Sequence, residues 1–147
     1  MSTKISYVPY DPKHAELMTF LADGPEFSVG ERLKALSDDP ANYAFTVMRG
    51  DQPVCALVAV QIWPTVFEVS AAISEDCRKY FATIYRSTVE VLDRIAEGTK
   101  AHRIQMTVSS DFKKGRRWAE ALGFELETVL KHYGPEAQDF LLYRRLY

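Results

Sequence analysis

The sequence predicts an α/β fold, a single domain built on a mixed central sheet of about seven strands in the order β-α-α-β-β-β-α-β-α-β-β. Three observations predict it. The chain has 147 residues, enough for one core that buries roughly 70% of the unfolded surface. Short segments of alternating apolar residues succeed one another, with helical periodicity between them. The run Trp118-Ala119-Glu120-Ala121-Leu122-Gly123-Phe124-Glu125-Leu126-Glu127 ends an apolar helix at a glycine and begins an alternating strand at once.

The elements follow in order. Lys4 to Tyr10 alternates and reads as a first strand. Asp11-Pro12 reads as a cap followed by proline at the first helical position. That helix is expected to run to about Asp23, with Leu17, Phe20 and Leu21 on one side, until Gly24-Pro25 breaks it. Val29 to Leu36 is a second short helix, closed by Asp38-Asp39-Pro40. Tyr43 to Arg49 is a strand, Gly50-Asp51 a hairpin turn, Pro53 to Ile62 a long apolar strand, and Val66 to Ile73 another after Trp63-Pro64. Glu75 to roughly Gly98 is the longest helix, with Phe81, Ile84, Tyr85, Val89, Leu92 and Ile95 on one face and Ser74 as its cap. Arg103 to Val108 is a strand, Lys113 to Leu122 a helix, and Phe124–Tyr133 and Asp139–Leu146 two strands joined at Gly134-Pro135.

Composition excludes several function classes. Apolar residues make up 47% and charged residues 26%, as in ordinary globular chains. A net charge of -2 gives no case for nucleic acid or an anionic membrane as partner. No apolar run approaches the ~20 residues of a membrane span. Met1-Ser2-Thr3-Lys4-Ile5 lacks a signal-peptide pattern, so the expected location is the cytoplasm. Cys55 and Cys77 are expected to be reduced thiols. His14, His102 and His132 are far apart and no metal-ligand spacing occurs, so no metal site is expected.

The junction at Leu122-Gly123-Phe124 resembles the helix-to-strand junction near the C-terminus of the GNAT superfamily of N-acetyltransferases, and the element order is similar to that fold from end to end. The resemblance implies a sheet splayed between its fourth and fifth strands, here Val66–Ile73 and Arg103–Val108, with acetyl-coenzyme A in the splay. It implies that the backbone at Val69, Ala71 and Ile73 holds the pantetheine. A pyrophosphate needs free N–H donors at a helix start. The family supplies them with Arg/Gln-x-x-Gly-x-Gly/Ala. Here the text is Arg78-Lys79-Tyr80-Phe81-Ala82-Thr83, so Arg78 matches, Lys79 adds a charge, and Phe81 and Thr83 replace the two small residues. Glu75 and Asp76 at the expected helix start oppose a phosphate there. A self-capped helix without ligand is the competing reading.

Acetyl transfer to an amine needs a base for the amine, a donor to the developing oxyanion and an acid for the leaving thiolate. Many members of the family place a tyrosine where this chain has Ala119, and the frequent asparagine falls near Asp111-Phe112. The substitutes in this sequence are Glu68 as a base through water, Glu75 at the strand end, Ser109 as a donor and Tyr80 as an acid. Each has a plainer role to set against it: a paired strand residue for Glu68, a helix cap for Ser109-Ser110-Asp111. Lys113-Lys114-Gly115-Arg116-Arg117 is a basic cluster at a helix start, suited to a phosphate, an acidic partner or solvent.

Gly115-Arg116-Arg117-Trp118, then Tyr133-Gly134-Pro135 and Phe140-Leu141-Leu142-Tyr143, are similar to a divergent set of GNAT-like proteins carried by tailed bacteriophages. That resemblance implies an N-acetyltransferase acting from acetyl-CoA on an amine of a host protein or small molecule. The alternative left open is a catalytically inactive GNAT-fold module that engages a host bacterial protein. Homodimerisation through the last strands or an apolar sheet edge is also left open.

Overall fold

The computed structural model describes residues 4–18 and 29–147. Its elements are β1 (Ile5–Pro9), α1 (Pro12–Glu16), α2 (Val29–Ser37), β2 (Tyr43–Arg49), β3 (Gln52–Trp63), β4 (Val66–Ile73), a 3-10 turn (Glu75–Arg78), α3 (Phe81–Thr99), β5 (Arg103–Ser109), α4 (Lys113–Ala121), β6 (Glu125–Leu130) and β7 (Phe140–Leu146). The strands form one seven-stranded sheet in the order β1-β2-β3-β4-β5-β7-β6. Neighbours are antiparallel except β4 and β5, which run parallel. The expected fold class and element order therefore stand.

Side-chain alternation divides the core between the two faces of the sheet. Phe45, Val47, Leu57 and Phe67 face α3 and α4, joining Ile84, Leu92 and Trp118. Ala56, Val58 and Ala72 face the other way and join Met18 of the α1 end and Leu33 of α2. Strand β3 is covered on both sides, which is why its residues Val54 to Ala59 form an unbroken apolar run with almost no exposure. On α1, Asp11 caps the Lys13 amide while His14 Nδ1 accepts from the Asp11 amide (3.1 Å) and the Thr46 hydroxyl (2.7 Å), tying the helix to β2.

The α4–β6 junction carries strong local signals. Gly123 has φ +86°, a conformation costing roughly 1–2 kcal/mol for a residue with a Cβ. A Cβ there would also lie 2.6 Å from Arg145 Nη1, which donates to the Leu122 carbonyl at 2.6 Å while Nη2 reaches Asp93 of α3 at 3.1 Å. Gly123→Ala is therefore expected to cost about 1–3 kcal/mol in chemical denaturation; a loss within error would contradict this account of the junction. Gly115 serves close approach: a Cβ on it would meet the Phe112 ring at 2.5 Å and Val108 at 3.0 Å.

Several expected boundaries are corrected. The first helix ends at Glu16, and Leu17 is 60% exposed instead of facing the core. The expected extension through Phe20, Leu21 and Gly24-Pro25 lies outside the described residues. The long helix starts at Phe81, not Glu75. Ser74 caps nothing, because its hydroxyl donates to the Val54 carbonyl at 2.6 Å in a buried position. Ser109, Ser110 and Asp111 do not cap α4 with their side chains, since its N-cap is Phe112 and has no side-chain bond. Strand β6 stops at Leu130, well before Tyr133, where the chain turns through His132 at φ +54°.

Candidate functional site

Strands β4 and β5 pair over only three residues: Val66 with Arg103, Phe67 with Ile104, and Glu68 with Gln105. Beyond that rung each strand stays with its other neighbour. β4 follows β3 as far as Ile73 opposite Cys55, and β5 follows β7 as far as Ser109 opposite Phe140. Sheet twist drives the two apart. From Val69 and Met106 onward, their facing edges have no ladder partner among the described residues. Unpaired backbone donors and acceptors on a strand edge suit an extended ligand that carries amides. Val69, Ala71 and Ile73 all lie on the diverging part of β4.

The chain leaving β4 swings away from this opening, held by three anchors. The Ser74 amide and hydroxyl both donate to the Val54 carbonyl on β3, at 3.2 and 2.6 Å. Cys77, buried in the 3-10 turn, shares a hydrogen bond with Cys55 on β3. That bond, together with complete burial, pushes the Cys55 thiol well above its usual range. The Tyr80 ring lies under the Arg49 guanidinium of β2, 4.0 Å from it. All three anchors are on strands that lie on the far side of β4 from β5.

The turn thus delivers α3 with a bare N-terminus. Tyr80 occupies the cap position and no side chain bonds to the helix start; the Thr83 and Ile84 amides donate to the Tyr80 carbonyl at 3.0 Å, which leaves those of Phe81 and Ala82 as donors. Phe81 stacks on Tyr85 one turn later, centroids 5.9 Å apart, and packs against the core. Glu75 is exposed on the 3-10 turn, one turn ahead of α3. Asp76 faces Lys79 at 4.0 Å. Separating the acids from the helix start removes part of the electrostatic objection that the sequence raised. The side chain of Arg78 lies outside the described residues. Helix α4 likewise starts uncapped after β5, so two helix N-termini follow the carboxyl ends of the two diverging strands.

On the opposite face, Glu68 sits on the last paired rung, at the vertex of the splay. Its Oε1 accepts from Gln105 Nε2 at 3.0 Å. Arg103 Nε donates to Gln105 Oε1 at 2.8 Å, and a guanidinium can only donate, so the Gln105 amide is forced to present its NH₂ to Glu68. Arg103 in turn grips Glu127 of β6 with two bonds of 3.0 and 2.7 Å, and Arg144 reaches Glu125 and Glu127. Ser109 shares this face by alternation along β5 and is half-buried. Among the described residues no hydrogen bond joins Glu68, Glu75, Ser109 and Tyr80 to one another. Tyr80 points to β2, away from the vertex. Gln105 and Arg103 were not singled out in the sequence; only the alternation of β5 placed them beside Glu68.

The Arg103 hydrogen bonds, with its charge and that of Arg144, hold the Glu127 carboxyl below its ordinary range. A carboxylate depressed in the folded state stabilises above its unfolded pKa and loses that contribution as pH falls through the folded value. Thermal unfolding of wild type and Glu127→Gln should therefore differ most at neutral pH and converge below about pH 4. A wild-type advantage that grew on acidification would contradict the pairing.

No protein-family model matches the sequence, nor does any curated protein. Solved structures do match. The Ard1 structure from Thermoplasma volcanium superposes with a TM-score of 0.81 at 13% identity, covering 97% of this chain and 97% of that one. A spermidine N-acetyltransferase SpeG chimera of Vibrio cholerae and hSSAT gives 0.74 at 18% identity, over 97% and 95%. Mycobacterium smegmatis RimJ, solved in complex with CoA-disulfide, gives 0.71 at 16% identity, over 97% and 81%. At these identities the likeness is one of fold, and the fold shared is that of the GNAT acetyltransferases.

Proposed function

We propose that this protein is an N-acetyltransferase that uses acetyl-coenzyme A to acetylate an amine. The observation that carries the reading is the β4–β5 pair that parts after three rungs, within a sheet of the GNAT order. Bound acetyl-CoA supplies the acetyl group as a thioester. The unpaired edge of β4 at Val69, Ala71 and Ile73 holds the amides of the pantetheine arm. The leading amides of α3, with Arg78 and Lys79, meet the pyrophosphate. Glu68, fixed by Gln105 at the vertex, takes the proton of the acceptor ammonium, directly or through one water. Ser109, on the same face, donates toward the thioester oxygen. The proton that the nitrogen loses on forming the amide passes to the departing coenzyme A sulfur, which leaves as the thiol, so Glu75 and Tyr80, on and just after the anchored turn, take no part in this reading.

The acceptor is an amine of a host protein or a small molecule in the cytoplasm of an infected bacterium, a reading supported by the similarity of Gly115–Tyr143 to the phage-type sequences. The named acceptor of one structural neighbour is a polyamine, spermidine, which makes it a first probe. A second reading keeps the fold without the chemistry. It is favoured by Ala119, which is fully buried and offers no hydroxyl where the family carries a tyrosine.

The experiment is release of the coenzyme A thiol from acetyl-CoA in the presence of spermidine or a peptide N-terminal amine, with the acetylated acceptor weighed by mass spectrometry. Release matched by acetylated amine supports the enzyme. Cofactor binding without transfer to any amine supports the binding module. Arg78→Ala with Lys79→Ala should weaken acetyl-CoA binding about three- to ten-fold, the scale of two exposed ion pairs. Unchanged affinity would remove both residues from the pyrophosphate site.

A further inference from the structure

Glu68, Gln105, Arg144 and Glu125 stand opposite one another in register, one rung across β4, β5, β7 and β6. Gln105 is the neutral member of that rung, and a side-chain amide has two orientations of nearly the same shape. One presents NH₂ to Glu68, the other the carbonyl. Arg103, two residues back on the same face of β5, decides between them. Its Nε lies 2.8 Å from Gln105 Oε1. A turned amide would set NH₂ against that N–H, two donors with no acceptor between them. Arg103 is itself fixed: its side chain is 21% exposed, and its two Nη atoms donate to both carboxylate oxygens of Glu127 at 3.0 and 2.7 Å. Among the described residues the Gln105 side chain bonds only to Arg103 and Glu68.

The orientation matters once Glu68 has taken a proton. In the proposed reaction the acceptor ammonium gives one proton to Glu68. The C–N bond forms as the C–S bond of the thioester breaks, and the sulfur leaves with the second proton. The first proton must pass from Glu68 to water before the next turnover. An amide turned carbonyl-first would accept from the protonated carboxyl and hold that proton in place. The NH₂ of Gln105 offers no acceptor and lets it go.

We infer that Arg103 is a positioning residue for acetyl transfer: by occupying Gln105 Oε1 it keeps the amide NH₂ toward Glu68 throughout the cycle, so that Glu68 returns to the carboxylate after each turnover. The inference rests on the acetyl-transfer reading, in which Glu68 is the base. It gives Arg103 a role beyond joining β5 to β6.

The test is a double-mutant cycle in the full chain, read as acetyl transfer from acetyl-CoA to spermidine and to a peptide N-terminal amine, with Arg103→Met, Glu68→Gln and the two combined. Arg103→Met keeps the aliphatic stem and deletes the donors. It should lower kcat about ten-fold, the scale of one hydrogen bond to a charged group, and leave KM for acetyl-CoA near wild type. In the Glu68→Gln background the same change should cost nothing further, because no carboxyl remains to hold a proton. Glu127→Gln weakens the ion pair and leaves Arg103 Nε in place, so its kcat should stay near wild type. Arg103→Lys keeps a charge for Glu127 and lacks Nε. It should lose kcat as Arg103→Met does, and it stands in for that variant if Arg103→Met does not fold. An equal loss from the Arg103 variant with and without Glu68, or an equal loss in Glu127→Gln, would make Arg103 a structural tie and overturn the inference, while the acetyl-transfer reading stands. An undiminished kcat without Arg103 would do the same. Wild-type protein that transfers acetyl to neither amine would remove both.

Discussion

Glu68→Gln should lower the rate of acetyl transfer by about 10²–10⁴-fold, the range of a positioned general base. The substitution keeps the shape of the side chain and leaves Oε1 able to accept from Gln105, as Glu68 does at 3.0 Å. Fold stability and acetyl-CoA affinity should therefore stay near wild type, and the loss should fall on the chemical step. A variant that transfers acetyl at the wild-type rate would remove Glu68 from the mechanism. The base role would then pass to a water or another carboxylate on that face.

Phe67→Ala is expected to destabilise the protein by about 3–5 kcal/mol, the usual cost of truncating a buried phenylalanine. Phe67 is 1% exposed and belongs to the middle rung of the β4–β5 pair, opposite Ile104. Its ring packs beside Tyr43 with centroids 5.9 Å apart. The resulting cavity lies under the vertex of the splay, so weaker acetyl-CoA binding should accompany the stability loss. Domains of this size are stable by only about 5–15 kcal/mol, so the shift in a urea unfolding curve would be large. A loss under about 1 kcal/mol would mean that the site collapses freely and that the vertex does not depend on this ring.

The fold was legible because each strand advertises itself. Tyr43–Arg49 and Val66–Ile73 were bounded as observed, since Gly50 and Pro64 punctuate them and alternation fills them. The Leu122-Gly123-Phe124 junction was legible for a local reason too, a left-handed glycine directly after the helix. The start of the long helix was not. Ser74-Glu75-Asp76 has the residue types of a capped helix start, but the Ser74 hydroxyl is taken by Val54, twenty positions back, and the Cys77 thiol by Cys55. Those partners are distant in sequence, so local pattern pointed to a continuous helix. The chain instead forms a 3-10 turn and starts α3 six residues later.

The site was legible in part for the same reason. The diverging strand, with Glu68 placed on it, followed from element order and the family resemblance; the role of Glu68 as a base is the proposal made above. The Arg103–Gln105–Glu68 chain did not follow, because it depends on three side chains sharing one face across two strands. The Tyr80 ring lies against the Arg49 guanidinium on β2, a contact between residues thirty-one positions apart that no local pattern shows.

The central claim is that the parting of β4 and β5 is a site for acetyl-coenzyme A. Calorimetric titration of the purified protein with acetyl-CoA tests it most directly. The account predicts saturable binding of one equivalent in the micromolar range, weakened by loss of Arg78 and Lys79. No heat of binding at millimolar acetyl-CoA would contradict it, and the fold would then stand as a scaffold whose splay holds no coenzyme A.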